Sequence, residues 1–353
     1  MLSRREIDQT LDTIVTAQQR DGCIPWFAGG HADPWDHVES AMALLHGGRR
    51  VEAERAYEWV SKTQRADGAL AFYYLDGRVE DPKLDANHST YLAVGVWHHF
   101  LVTGDTGFLR EMWPVVEGAI EFALSLQAPG GEVTWMRMPS EHGGSTGGYA
   151  LLTSSSCVHL SLRCAIAVAE RLGYERPDWE LSLGSLAHAI AYREHEAFEP
   201  KDRFSMDWYY PVLGGILVGD TARARLLDRD RWSTFVVPGR GVRCVADQPW
   251  VTAAETCEAV MSMATVGLRD AAESLFEWVQ YLRSDDGSYW TGHNYEFGEH
   301  YPENERTTWT GAAAVLADDV LRGGVFASIL RGDGLPVGVV EVETADFSAE
   351  SAL

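Results

Sequence analysis

Two kinds of helix alternate along the chain. One kind is amphipathic. Over 50–64, Ala53, Ala56, Tyr57 and Val60 recur at helical spacing with Glu52, Glu54, Arg55 and Glu58 between them, and 267–282 repeats the pattern through Ala272, Leu275, Phe276 and Val279. The other kind is small or apolar on most faces, as in Ser89–Gly95, Ala259–Ala264 and Gly311–Leu316. A helix that is apolar all round is a buried one, and small residues let such helices pack closely. The alternation predicts outer helices near 3–19, 50–64, 107–127, 178–193, 219–229 and 267–282. Inner helices are expected near 36–47, 87–101, 154–171, 208–218, 251–265 and 307–322. Six of each make an all-α (α/α)6 barrel over residues 1–322. From 323 the pattern changes to Gly and β-branched residues, which predicts a short extended appendage and then a loose tail to Leu353.

A repeated unit supports the same architecture. Glu58-Trp59-Val60 followed by Arg65-Ala66-Asp67-Gly68 recurs as Glu277-Trp278-Val279 followed by Arg283-Ser284-Asp285-Asp286-Gly287, with nine residues from Trp to Gly in both. Gln19-Arg20-Asp21-Gly22 repeats the end of the unit, and a period of this kind decides the architecture before single motifs are read. The loops entering the inner helices, 20–35, 65–86, 128–153, 230–250 and 283–306, are long and rich in Gly, Pro and aromatic residues. Long loops in a compact domain are usually functional, so the barrel end they share, its mouth, is where chemistry is expected. Gly143–Gly148 reads as a lid or loop tip, and Thr153–Ser156 as a helix cap.

Carboxylates mark that mouth. Asp36-x-x-Glu39-x-x-Met42 on the first inner helix has the spacing of Glu255-x-x-Glu258-x-x-Met261 on the fifth. Each pair shares a helix face near an N-terminus, and only the sixth inner helix separates the two. Asp207 enters on the fourth inner helix, and Asn87 and His88 on the second. Glycoside hydrolysis needs a carboxylic acid to protonate the leaving oxygen and a carboxylate opposite it to activate water. Trp35, Trp208, Tyr209, Trp250 and Trp290 could stack on sugar rings. His37, Glu39, Asn87, His88, Glu258, His293 and Arg306 could meet hydroxyls. The competing reading is structural: acidic residues favour helix N-termini, Asp33-x-x-Asp36 resembles an N-cap arrangement, and Thr252-x-x-Glu255 fits a capping box.

Composition narrows the class. A formal net charge of −23 on 353 residues disfavours nucleic acid and anionic membranes as partners. It leaves an oligosaccharide or polysaccharide open. No apolar run approaches the roughly 18 residues of a membrane span, and no signal core follows Met1, so a cytoplasmic protein is expected. Five cysteines without a CxxC pair fit reduced thiols. No metal site or cofactor is expected.

The segments Gln19–Trp26 and Asp286–Trp290 resemble the Gln…Gly…Trp repeats of prenyltransferases and squalene-type cyclases, whose Asp-rich and zinc-binding motifs the chain lacks. The layout to about residue 322, with Pro34-Trp35-Asp36 and Thr252-x-x-Glu255, is similar to the actinobacterial methylmannose polysaccharide hydrolase family. That resemblance implies an intracellular, metal-independent hydrolase of internal α-(1→4) bonds, with one Asp and one Glu as the catalytic pair. By position these are Asp36 and Glu255, with Asp36 placed as base, Glu255 as acid, the choice between them open, and Asp207 in reserve. Inversion is what the similar helical-barrel glycosidases imply. The alternatives are a sugar epimerase using His88 or His293, isoprenoid chemistry, and a glycan-binding protein without catalysis.

Overall fold

The computed structural model describes residues 1–139 and 148–335. The first hairpin is α1 (Arg4–Ala17) and α2 (Pro34–His46). The second outer helix is α3 (Arg50–Thr63), followed by strands β1 (Ala71–Leu75) and β2 (Arg78–Asp85) and an inner helix in two parts, α4 (Ala86–Thr90) and α5 (Leu92–Thr103). Then come α6 (Thr106–Leu124), strand β3 (Met136–Arg137), α7 (Leu152–Leu172), α8 (Pro177–Tyr192), the single turn α9 (Glu194–Ala197) and α10 (Met206–Leu213). The fifth outer element is broken into α11 (Gly219–Leu226) and α12 (Arg229–Phe235). Strands β4 (Val236–Val237), β5 (Gly241–Arg243) and β6 (Trp250–Thr252) lead into α13 (Ala253–Thr265). The sixth hairpin is α14 (Arg269–Val279), strands β7 (Gly292–Asn294) and β8 (Glu299–His300), and α15 (Thr308–Leu321); α16 (Val325–Arg331) follows.

The inner helices close a ring. Helix α2 packs on α5, α5 on α7, α7 on α10, α10 on α13, α13 on α15, and α15 back on α2. This is the expected (α/α)6 barrel. Helix α7 is long and apolar enough to cross a membrane, yet 94% of its apolar window is buried inside the ring. The long mouth loops carry more order than the sequence suggested. They fold into an antiparallel sheet of β1, β2 and β3 and an antiparallel meander of β4 to β8, neither of them a closed sheet.

The repeated unit is a clamp between neighbouring outer helices. Gln18, at the end of α1, donates its side-chain N–H groups to the carbonyls of Gly22 (3.0 Å) and Glu52 on α3 (2.9 Å). Gln64 does the same with Gly68 (3.0 Å) and Val115 on α6 (2.7 Å). Gln127 does it with Gly131 and Ser182 on α8, both at 2.9 Å. At the sixth outer helix Arg283 takes the place of Gln, donating to the Glu6 carbonyl on α1 (3.2 Å), while the Thr10 hydroxyl donates to the Gly287 carbonyl (2.8 Å). The glycines are required. Gly68 has φ +82°, and a Cβ there would stand 1.9 Å from the Gly118 carbonyl oxygen of the next outer helix.

The chain after 322 differs from expectation. Phe326, Ala327, Ile329 and Leu330 are buried on α16, which packs against α15, α5 and α13 and closes the end of the barrel away from the mouth. Asp319 caps it by accepting from the Phe326 N–H (2.8 Å). The β-branched content suggested an extended strand, but apolar positions one and three apart on a capped turn bury a helical face instead. The expected tail beyond 335, and the lid at Gly143–Gly148 except Gly148, lie outside the described residues.

The clamp makes a prediction. Gly68→Ala should cost more than about 2 kcal/mol of unfolding free energy, because it adds a backbone clash to the strain of positive φ. Gly104→Ala, at φ +70° with nothing within 4 Å of its Cβ, should cost only the strain, about 1–2 kcal/mol. Denaturant midpoints of the two variants check the difference.

Candidate active site

The first turn of α2 separates a capping carboxylate from a free one. Asp33 is the N-cap, accepting from the backbone N–H groups of Trp35 (2.7 Å) and Asp36 (3.3 Å), and Pro34 supplies a preset first helical residue. Asp36 is thereby released from capping and faces the mouth one turn above Glu39. At α13 the expected capping box does not form, because Thr252 is the N-cap but its hydroxyl makes no capping bond. Glu255 is therefore not consumed as a cap partner, and Glu258 lies one turn below it. Asp36 and Glu255 are each 7% exposed, Glu39 and Glu258 1%. A narrow axial cavity runs below them, lined by Trp35, Glu39, Tyr91, Cys157, Tyr210, Glu258 and Met261 and floored by Phe326 and Leu330 of α16.

Burial dominates the electrostatics. Burial, then the carboxylates of Asp33 and Glu39, hold the Asp36 carboxyl well above the usual range, with the Trp26 indole pulling the other way. Burial and then Glu258 do the same to Glu39, against a smaller opposing pull from Trp309. Both indoles lie close enough to act on these carboxyls, yet neither the Trp26 nor the Trp309 Nε1 has a partner in full hydrogen-bonding geometry, so their effect is a minor one. The Tyr209 hydroxyl donates to Glu258 Oε2 (2.6 Å) and the Tyr210 hydroxyl to Glu258 Oε1. Two donors favour the ionised form, but burial and then Glu255 outweigh them and push Glu258 up to about 8. Burial likewise raises Asp207, whose Oδ1 accepts from the Thr153 hydroxyl (2.8 Å). Thr153 is thus a partner of Asp207 rather than part of a cap.

The second inner helix adds a polar wall. His88 Nε2 stands 3.4 Å from Asp33 Oδ2, and the His88 ring stacks on Phe72 at 4.5 Å. Its Nδ1, Asn87 Oδ1, Glu39 Oε2 and the indole nitrogens of Trp26, Trp35 and Trp309 are buried without a protein partner. Buried polar atoms are normally paired, so this grouping is what a ligand rich in hydroxyls would satisfy. Aromatic faces surround it: Trp35 stacks on Tyr91 at 4.4 Å and meets Trp309 edge-on at 6.0 Å, and His31 stacks on Tyr73 at 4.3 Å beside Trp26.

Several of the expected contact residues are engaged within the protein. His37, adjacent to Asp36, points away from the mouth: the Ile24 N–H donates to its Nδ1 (2.9 Å), its Nε2 pairs with the Ala56 carbonyl (2.9 Å), and burial holds it neutral with a pKa of about 4. Trp208 is buried against Phe235 and donates to the Arg225 carbonyl (2.9 Å), so it is core and no sugar platform. Tyr209 is fully buried and acts on Glu258 rather than on a ring of substrate. Trp250 is held through its Nε1 by the Tyr301 carbonyl (2.8 Å). Trp290, His293 and Arg306 cluster with one another's neighbours: Trp290 stacks on His300 at 4.2 Å, His293 meets Tyr281 and His300, and Arg306 lies over Trp290 while bonded to Asp286 and Ser288. The sequence reading missed Trp26, Phe72, Tyr73, Tyr91, Tyr210 and Trp309 as site residues. Trp309 was findable, since Thr307-Thr308-Trp309 repeats the cap-to-Trp offset of Asp33-Pro34-Trp35 on a neighbouring inner helix.

No family model matches the chain. It is 50% identical over 343 residues, 96% of its length and 92% of the relative's, to the MMP endo-(1,4)-3-O-methyl-α-D-mannosidase of Mycolicibacterium hassiacum. The chain belongs to this mannosidase family. Among solved structures, a glycosidase covers 94% of the chain and 97% of its own length at 14% identity and TM-score 0.66. A D-mannose isomerase covers 89% and 96% at 10% and 0.66, and an α-amylase from Clostridium perfringens 89% and 97% at 11% and 0.62. At such identities these share the fold alone, and an isomerase among them shows that the barrel does not fix the chemistry.

The raised carboxyl groups set a pH dependence. Folded Glu258 keeps a proton that the unfolded chain releases between its ordinary 4.5 and about 8, so this group makes stability fall as pH rises through that window. Asp36 and Glu39 act in the same direction. Glu258→Gln should therefore reduce the fall in denaturant midpoint between those pH values without abolishing it, as a pH series of urea unfolding curves would record.

Proposed function

We propose that the chain is an inverting endo-α-mannosidase that cleaves internal α-(1→4) bonds of a methylated mannose polysaccharide, with Asp36 as general acid and Glu255 as general base. The relationship to the methylmannose endo-mannosidase supports the substrate class. The observation that carries the chemistry is the setting of Asp36, buried and flanked by two further carboxyls that raise its hold on a proton, which is the direction a general acid requires. This reverses the provisional assignment from sequence: the two carboxyls are equally buried, and it is the crowding of Asp36 by Asp33 and Glu39 that favours it as the acid.

In this reading Asp36 gives its proton to the glycosidic oxygen as the bond to the anomeric carbon breaks. Glu255 takes a proton from water attacking the opposite face, which requires the two carboxyls to stand roughly 6.5–9.5 Å apart. The indole N–H groups of Trp26, Trp35 and Trp309, with Asn87 and His88, receive hydroxyls, and the aromatic faces around them accept O-methyl groups that a purely polar groove would desolvate at a loss. Asp207 stays in reserve on the far side of the ring. A two-carboxylate mechanism needs no metal, and five buried free thiols fit a reducing, cytoplasmic setting.

The test is incubation of purified protein with α-(1→4)-linked methylmannose oligosaccharides and with maltooligosaccharides, with EDTA present. Shortened methylmannose chains of inverted anomeric configuration are expected, read by mass and by early NMR. Asp36→Asn and Glu255→Gln should each lower kcat/KM by at least about 100-fold with the circular dichroism unchanged. Near-wild-type rates in both variants would remove the assignment.

A further inference from the structure

Inversion leaves the two carboxyl groups in the wrong protonation states. After each cleavage Asp36 has lost a proton to the departing sugar and Glu255 has gained one from water. The substrate is balanced, but the enzyme is ready again only when one proton has travelled from Glu255 to Asp36. In an open site bulk water carries it. Here both groups are 7% exposed, the far end of the barrel is closed by Phe326 and Leu330, and a polymer cut at an internal bond leaves sugar on both sides of the cleavage point, over the mouth.

The structure holds a second route. Glu258 lies three residues beyond Glu255 on α13, and Glu39 three beyond Asp36 on α2, so each acid has a buried partner one turn deeper on the same helix face. Glu39 and Glu258 line the same cavity, and each feels the next: Glu255 acts on Glu258, Glu258 on Glu39, and Glu39 on Asp36. Glu39 Oε2 is buried without a partner, which leaves an acceptor open on this line. The Tyr209 and Tyr210 hydroxyls fix the orientation of Glu258. Glu39 also helps to raise the Asp36 carboxyl, but the cleavage step does not call for a continuous line of acids through Glu258, and two buried acids are costly in a core.

We propose that Glu39 and Glu258 are positioning residues that return the proton from Glu255 to Asp36 after each turnover, through the axial cavity beneath the site. The inference rests on Asp36 and Glu255 being the inverting pair. Glu255 passes a proton to Glu258, Glu258 one to Glu39, and Glu39 one to Asp36. The two inner acids end as they began, and no bond other than O–H is broken.

The variant that isolates this role is Glu39→Gln, which keeps the shape of the neutral acid but cannot pass a proton on. Glu39→Asp keeps the proton-passing group. With an α-(1→4) methylmannose oligosaccharide at constant pH and ionic strength, wild-type kcat should not depend on imidazole buffer concentration. Glu39→Gln should show a kcat lower by about tenfold or more, with KM within about twofold, and kcat should climb with imidazole as the small buffer takes over delivery. Glu39→Asp should recover most of the rate without added imidazole. A Glu39→Gln deficit that ignores imidazole, or no deficit at all, overturns the relay. Product anomers are read in the same experiment. Retained configuration in the wild type would overturn the inverting pair itself, whereas inversion with a buffer-insensitive variant overturns the relay alone.

Discussion

One amide and one glycine at the end of an outer helix hold this barrel together. A Gln side chain has two N–H donors, and the clamp uses both: one ties down the turn that leaves the helix, and the other caps a carbonyl of the next outer helix. The glycine four residues later, at positive φ, brings backbone against backbone where no side chain fits. Because the chain leaves each clamp at the same end of the barrel, the loops that follow gather there, and so do the N-termini of the inner helices. The active site is thus a consequence of ring geometry before it is one of chemistry. The clamp is missing only between the fourth, fifth and sixth outer helices among the described residues. There Arg225, bonded to both Glu194 oxygens (2.6 and 2.9 Å), and Arg223, bonded to the Val266 carbonyl (2.7 Å), make the connections instead.

At the mouth two physical effects oppose one another. Helix N-termini favour anionic side chains, and the first turns of α2 and α13 carry Asp36 and Glu255 for that reason among others. Burial opposes ionisation, and on Asp36, Glu39 and Glu258 it prevails even where two hydroxyls donate to the same carboxylate. The outcome is a buried run of acidic groups that repel one another unless some stay protonated. That is an expensive arrangement for a core and a useful one for moving protons. The orphaned indole, imidazole and amide atoms around it belong to the same account, since they too are stable only when something polar fills the space between them.

Much of this was legible in the chain. The 3.6-residue period separates inner from outer helices without tertiary information, and the i, i+3 spacing of acids on α2 and α13 survives into the structure. Direction was not legible. His37 follows Asp36 by one residue, about 100° around the helix, and that rotation alone sends it into the wall beside Trp59. Trp208 and Tyr209 sit at the expected depth but face α12 and Glu258. Whether Thr252 and Glu255 formed a capping box depended on side-chain rotation that a pattern cannot report. Trp26 reaches the site from the loop after α1 and Phe72 and Tyr73 from strand β1, so no local spacing links them to the inner-helix acids. The Gln127–Gly131 clamp was overlooked because Pro129 and Gly130 disguise the unit.

The ring has a seam. The Leu2 N–H donates to Asp318 Oδ1 (2.7 Å) and Arg322 donates to the Leu2 carbonyl (2.6 Å), while on α1 the Thr10 hydroxyl donates to the Gly287 carbonyl and the Glu6 carbonyl accepts from Arg283. Helix α1 therefore meets its second neighbour only after nearly all of the protein has been synthesised. Until then one flank of the first hairpin and the wall bearing Asp36 stand open, their small apolar faces exposed to whatever surrounds the nascent chain. A protein closed in this way cannot be assembled hairpin by hairpin into finished pieces. Its first residues wait for its last.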